Sequence, residues 1–223
     1  MRTLSILVLC SCGSADRVDR FVLGTEAPGS DALAALQAID IDIEAGDVHI
    51  VAADGPSDRI EVERTLRGPT GAVSATHRVV DGVAQLRGDC AMLAPCAVDL
   101  SLVVPEGLSV RIHTGSGAVQ IVGRMGDVTV DVGDGEIAAH GQGAGGFSAR
   151  VGWGDVTATF AATPADVQIA SAAGDVTVML PRGGYAIDAE GLGGATVMGL
   201  ERSPSGPAVV VRAGSGRVTV GQQ

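Results

Sequence analysis

Gly126-Asp127-Val128-Thr129-Val130, Gly154-Asp155-Val156-Thr157-Ala158 and Gly174-Asp175-Val176-Thr177-Val178 are copies of one phrase, and Gly46-Asp47-Val48-His49-Ile50 is an earlier version of it. Each copy reads as a turn feeding a strand. Glycine gives the turn its backbone freedom, aspartate bonds nearby N–H groups, and the alternating apolar residues pack one sheet face. Degraded copies at Ser116–Ile121, Gly133–Ile137, Gly194–Val197 and Gly216–Val220 carry the pattern to the C-terminus. The phrase specifies an architecture and no reaction.

Beyond Ser109 the spacing is regular. Gly117, Gly135, Gly154, Gly174, Gly194 and Gly216 are separated by 18, 19, 20, 20 and 22 residues, with Gly126, Gly146, Pro164, Gly184 and Gly206 falling between them. A turn about every ten residues fits two all-β architectures. One is a β-solenoid with two strands and about 20 residues per coil. The other is an antiparallel β meander or sandwich in which each hairpin is one repeat. Periodicity alone does not separate them. In-phase Gly-Asp turns and an aromatic content of 2% favour the solenoid, because like residues then stack coil on coil and thin cores suit small side chains.

Strand faces can be assigned from the alternation. Val128, Val130 and Val132, then Val156, Ala158 and Phe160, then Val176, Val178 and Leu180, then Val218 and Val220 share a buried side. Asp127, Thr129, Asp131, Asp155, Thr157, Thr159, Asp175 and Thr177 fall on the wet side. Upstream, Ile39, Ile41 and Ile43 alternate with acids. Arg59–Thr65, Val83–Arg87 and Ala97–Val104 also read as strands, the last ended by a Pro105-Glu106-Gly107 turn. Asp31–Ala38 reads as a short helical turn.

The chain has 223 residues, 46% of them hydrophobic, and a net charge of −11; all 15 basic residues are arginine. No basic block exists, which argues against nucleic acid as a partner. The same absence argues against attraction to anionic lipid.

The N-terminus reads as an export segment. Arg2 precedes a brief apolar stretch, Thr3–Leu9, too short to span a bilayer. Leu9-Cys10-Ser11-Cys12 resembles a bacterial lipobox, which implies a signal peptide over 1–11 and lipidation of Cys12. Residues 12–36 then form a lipidated N-terminus and flexible tether, and 37–223 the β domain. In an exported protein Cys90 and Cys96, six apart, are expected to form a disulfide pinning a hairpin.

Ile39–Ile50, Val98–Ile121 and the Gly-Asp-Val series together resemble the bacterial "putative adhesin" family, a domain of unknown function akin to the head domains called GIN. The resemblance covers roughly residues 37–223. It implies a β-helix-like fold, export or membrane linkage, and no catalytic residues to carry over.

The residues offer little chemistry. Gly141–Gly146 spells G-x-G-x-x-G, but a dinucleotide site needs a helix after it, and Phe147–Val151 reads as a strand. His49, His77, His113 and His140 are scattered, and Arg111, Arg124 and Arg150 form no evident set with acids. Glu136, Asp155 and Asp175, directly after in-phase turn glycines, are expected to stack as an acidic ladder, with Ala118, Ala195 and Arg217 at the same position in other copies. Such carboxylates either cap the turns or hold calcium between coils; capping is the expectation, since the tighter calcium-repeat pattern is absent.

Catalytic, cofactor-binding and metal residues are therefore none, and no cofactor is expected. The sequence is read as a non-enzymatic, exported adhesin-like binding or scaffold module for an unknown envelope or surface ligand. Its membrane contact would be through the lipid anchor alone. The contrasting reading is an enzyme acting on envelope polysaccharide, with acids and a basic residue converging in a cleft.

Overall fold

The computed structural model describes residues 16–24, 36–91 and 95–223, and every helix or strand element among them is a strand. The first seven are β1 (Arg17–Gly24), β2 (Ala38–Ala45), β3 (Val48–Ala52), β4 (Arg59–Arg67), β5 (Val73–Val80), β6 (Val83–Cys90) and β7 (Ala97–Val104). The regular region supplies β8 (Ser109–Ser116), β9 (Val119–Val122), β10 (Val128–Asp134), β11 (Ile137–Gln142), β12 (Phe147–Trp153), β13 (Val156–Phe160), β14 (Asp166–Ala173) and β15 (Val176–Leu180). The chain closes with β16 (Gly184–Gly191), β17 (Ala195–Met198), β18 (Glu201–Arg202), β19 (Ala208–Ala213) and β20 (Val218–Gln222).

These strands form two ten-stranded sheets. One runs β1-β4-β7-β3-β9-β11-β13-β15-β20-β17, and the other β18-β16-β19-β14-β12-β10-β8-β2-β6-β5. From β8 to β17 the chain alternates between them, and up to β15 strands one repeat apart are sheet neighbours. They pair parallel and in register: Val156 lies opposite Ile137 on one side and Val176 on the other. The pairs β1–β4, β4–β7 and β5–β6 are antiparallel, which makes both sheets mixed.

The expected inward faces are the buried ones. Val128, Val130, Val132, Val156, Ala158, Phe160, Val176, Val178, Leu180, Val218 and Val220 belong to one buried cluster, together with Ile39, Ile41 and Ile43. Each such branched side chain stabilises by about 1.5–3 kcal/mol relative to exposure. Phe147 and Phe160 meet edge to face across the core, ring centres 5.5 Å apart.

Gly154 and Gly174 explain why the phrase needs glycine. Both have positive φ (+139° and +146°), and a Cβ would lie 1.8 Å from the Gly135 carbonyl oxygen and 2.0 Å from that of Gly154, respectively. No side chain fits between repeats at this corner.

Several expectations are corrected. Arg17–Gly24, read as part of the tether, is the edge strand β1, paired antiparallel to β4 over its whole length. Leu36 and Gln37 are not helical, and Ala38 begins β2; the rest of the expected helical turn lies outside the described residues, as do Cys12 and the signal segment. The last two repeats are out of sequence order. β19 and β20 insert between β14–β15 and β16–β17, so Gly216 stacks on Gly174 and the β16–β17 repeat is displaced to the edge. Burial follows this order: Val209, Val211, Val218 and Val220 are fully covered, whereas Ala195, Thr196 and Met198 of the edge strand β17 are exposed.

Candidate functional site

The acidic corner is the most chemically distinctive feature the sequence offered. In-register pairing lines up one rank across the first sheet: Asp99, Asp47, Ala118, Glu136, Asp155, Asp175, Arg217 and Gly194, in that spatial order; Ala195, expected at this position, lies one step further along, opposite Val218. Asp155 Oδ1 accepts a hydrogen bond from the Asp175 backbone N–H at 2.7 Å, and Asp175 Oδ1 one from Arg217 N–H at 2.7 Å. Asp47 Oδ1 does the same for Ala118 N–H at 2.9 Å, and Asp99 Oδ1 for Asp47 N–H at 3.0 Å. Each of these carboxylates therefore caps the next strand in the stack. The Glu136 carboxylate, one methylene longer, makes no such bond to the described residues.

The same device serves the opposite corner. Asp127 opens β10 in the second sheet, and its Oδ1 accepts from Gly146 N–H at 2.9 Å. One phrase thus builds both turns. Ladder partners are neutralised at one place by charge: Arg67 forms an ion pair with Asp99, and the hydrogen bond that Arg67 donates to Asp99, together with that charge, raises the Arg67 pKa. Among the described residues no group of three or more His, Cys, Asp or Glu is placed to hold a metal ion.

The outer faces are broad and orderly. On the first sheet Thr157, Thr177, Thr219 and Thr196 form one in-register rank across four adjacent strands. On the second, a charged rank runs Arg87, Asp42, His113, Asp131, Arg150, Ala170, Arg212 and Glu190, one residue per strand. Arg87 bonds Asp40 at 2.7 Å and lies 3.7 Å from Asp42; Arg212 pairs with Asp188 and lies 3.4 Å from Glu190. The hydrogen bond from Arg212 holds the Asp188 carboxyl below the usual carboxylate range, against a small opposing effect of burial. Exposed pairs of this kind contribute little to stability.

The other singled-out residues do not converge. Arg111 and Arg150 share the second sheet's outer face but occupy different ranks, and Arg124 lies 3.7 Å from Glu106 in a turn. His113 stands between Asp42 and Asp131, while His77, on β5, stacks on Phe21 at 4.1 Å. His49 is on β3 and His140 on β11. Gly141–Gly146 leads from β11 into strand β12, not a helix, and Gln142 is buried with its Nε2 bonded to the Ile121 and His140 carbonyls. A shallow groove of about 420 Å³ over β1, β4 and β7 is lined by Val22, Val62, Val103, Arg20 and Glu63; the two charges pair with each other at 2.6 Å.

Cys90 and Cys96 are disulfide-bonded, Cα atoms 5.8 Å apart. The bridge does not pin a hairpin. β6 lies in the second sheet and β7 in the first, so it closes the crossover between sheets.

Sequence reasoning missed the charged rank. Asp42, Arg87, Asp131 and Arg212 carry no local signal, because they are brought into line only by strand register. The ladder's Asp47 and Asp99 were equally hidden: Asp47 stood in a copy of the phrase far upstream, and Asp99 lies inside a strand.

The sequence matches no protein-family model and no curated protein. Among solved structures it is similar to a "putative cell adhesion protein" of Clostridium sporogenes, with 13% identity, 93% of this chain and 100% of that chain covered, and a TM-score of 0.43. It is also similar to a "putative adhesin" of Bacteroides fragilis, with 10% identity, 94% and 99% coverage, and a TM-score of 0.34. A third, a "putative adhesin" of Parabacteroides distasonis, has 12% identity, 93% and 97% coverage, and a TM-score of 0.26. Likeness at these scores carries no argument about this chain's activity.

Proposed function

We propose that this chain is a non-catalytic binding or scaffold module of the bacterial envelope, with a β-solenoid body that presents two flat faces. One observation carries the reading. Most residues that could do chemistry are dealt out one per strand along ranks; a shallow groove of about 480 Å³ over β5 and β6 does bring His77, Arg78, Arg87 and Asp89 together, but there His77 stacks on Phe21, Arg78 bonds Gln85 and Arg87 pairs with Asp40. A uniform threonine rank on one face and a charged rank on the other suit contact with an extended surface. An enzyme acting on polysaccharide would need its carboxylates to converge on one bond.

The solenoid description is supported by parallel, in-register pairing between strands one repeat apart, as hairpins would pair antiparallel. The adhesin-like reading rests on the sequence resemblance. Export is supported by the disulfide, which persists in oxidising compartments. Anchoring through Cys12 remains part of the proposal, and β1 changes its geometry. The strand starts at Arg17, so five residue steps, about 17 Å of extended chain, would separate the lipid from the domain. The body would stand close to the bilayer instead of on a long tether.

The enzyme alternative is tested by incubating the protein with purified envelope polysaccharide. The proposal expects co-sedimentation without new reducing ends or unsaturated products. Products whose release is abolished by Arg150→Ala would replace the scaffold with a catalyst.

A further inference from the structure

The chain has one tryptophan, one tyrosine and three phenylalanines, and one of these rings stands in solvent. Phe147, Phe160 and Tyr185 are buried, and Phe21 stacks on His77. Trp153 is 68% exposed at the end of β12, where the chain turns into the acidic corner. A single exposed apolar side chain is ordinary on a protein surface. Its neighbours set Trp153 apart.

In-register pairing puts Asp134 of β10 on one side of Trp153 and Ala173 of β14 on the other. Neighbouring strands lie about 4.8 Å apart, so the Asp134 carboxylate is within reach of the indole, while the short Ala173 side chain leaves the other flank open. Glu136 follows two residues after Asp134, across the bend at Gly135. Asp47, Asp99, Asp127, Asp155 and Asp175 each accept a backbone N–H. The Asp134 and Glu136 carboxylates accept none, and neither forms an ion pair with the described residues. Arg150 is in register with Asp131, and Arg217 lies two strands from Asp155. Two uncommitted, exposed carboxylates therefore adjoin the exposed indole.

We propose that Trp153, Asp134 and Glu136 form a docking point for an arginine side chain of a partner protein, its guanidinium stacked on the indole and its N–H fork directed to the two carboxylates. Charge complementarity selects the occupant. Indole is the best aromatic face for a cation, and a guanidinium lies on it as a flat plate. Asp134 and Glu136 offer acceptors only, and Ala173 and Gly152 offer no polar side chain. A guanidinium is all donors and matches that set; a sugar hydroxyl both donates and accepts, and finds half of its match. Two carboxylates are too few for calcium, which takes about six to eight oxygens. The acidic surroundings repel anionic lipid. Tryptophan and arginine are also the side chains that most often anchor protein interfaces. The site rests on the binding role proposed above and adds to it the chemistry of a partner.

Trp153 is the chain's one tryptophan, so its fluorescence reads this site alone. The full chain is titrated at physiological ionic strength with an end-blocked glycine peptide carrying one arginine, with its lysine counterpart and with a neutral oligosaccharide. Calorimetry repeats each titration and extends it to Trp153→Ala. The proposal expects saturable binding of the arginine peptide that weakens at least tenfold in the double variant Asp134→Asn/Glu136→Gln and in Trp153→Ala. The control Asp54→Asn/Glu61→Gln removes as much charge from exposed positions on the β3–β4 side and should bind like the parent; melting curves confirm that every variant folds. No saturable signal by either method overturns the proposal, as does binding that survives the double variant or falls equally in the control. Lysine peptide bound as tightly as arginine, or saturation by the oligosaccharide instead, also overturns it. Any of these failures leaves the scaffold reading standing, because that reading is tested on polysaccharide turnover.

Discussion

Asp155 reaches across one repeat to accept the backbone N–H of Asp175, and Asp175 repeats the gesture toward Arg217. The carboxylate that looked most like a metal ligand in sequence is thus occupied with the backbone of its own fold. The corner holds because glycine lets the strands approach and aspartate satisfies the N–H that this approach exposes.

Glycine at the corner is expected to be indispensable. Gly154→Ala puts a Cβ 1.8 Å from the Gly135 carbonyl oxygen and should cost more than about 1 kcal/mol in denaturant unfolding. Gly55→Ala is the control, since Gly55 has positive φ (+111°) but open space around it. Equal losses at both sites would show that φ alone, and not the stacking of repeats, sets the requirement.

The bridge between Cys90 and Cys96 should protect both thiols from alkylation in the absence of reductant, read on the tryptic peptides by mass spectrometry. Replacing both by serine removes a small closed loop and should lower stability by about 2 kcal/mol. Free thiols in protein recovered from the envelope would contradict the oxidised state.

Acid should release the Arg212–Asp188 contact. The Asp188 carboxyl is held below its ordinary value, so its contribution is present above the unfolded-state pKa of about 3.9 and is lost as pH falls through the folded value. Melting curves of Asp188→Asn and the parent should differ slightly near neutrality and converge in acid. A difference that grows as pH falls would reverse the sign.

Anchoring is checked by Cys12→Ser. The variant should leave the membrane fraction, and the parent's intact mass should show bound lipid. A variant that remains membrane-bound, with no lipid on the parent, would remove the anchor from the proposal.

The repeat region was legible because Val128–Val132, Val156–Phe160 and Val176–Leu180 alternate cleanly and their turns carry glycine. The first third was less so. β5 was missed although Asp81-Gly82 joins it to β6 in a tight hairpin with positive φ at both residues, a local signal that was present in the chain. β1 was missed because charged Arg17, Asp19 and Arg20 disguise an edge strand whose outer side needs no apolar pattern. The stacking order of the last two repeats was not local information at all: β17 and β20 carry similar phrases, and it is β20 that lies beside β15. The charged rank depends on the same register.

The most direct test of the passive scaffold is the melting temperature in calcium chloride against sodium chloride at matched ionic strength, for the parent chain and for Asp155→Asn. If the ladder caps backbone, both salts give the same parent melting temperature, chelator changes nothing, and removing the cap with Asp155→Ala costs about 0.5–2 kcal/mol. A melting temperature that climbs with calcium alone, by mass action, and loses that rise in Asp155→Asn would contradict the account and make the corner a cation site.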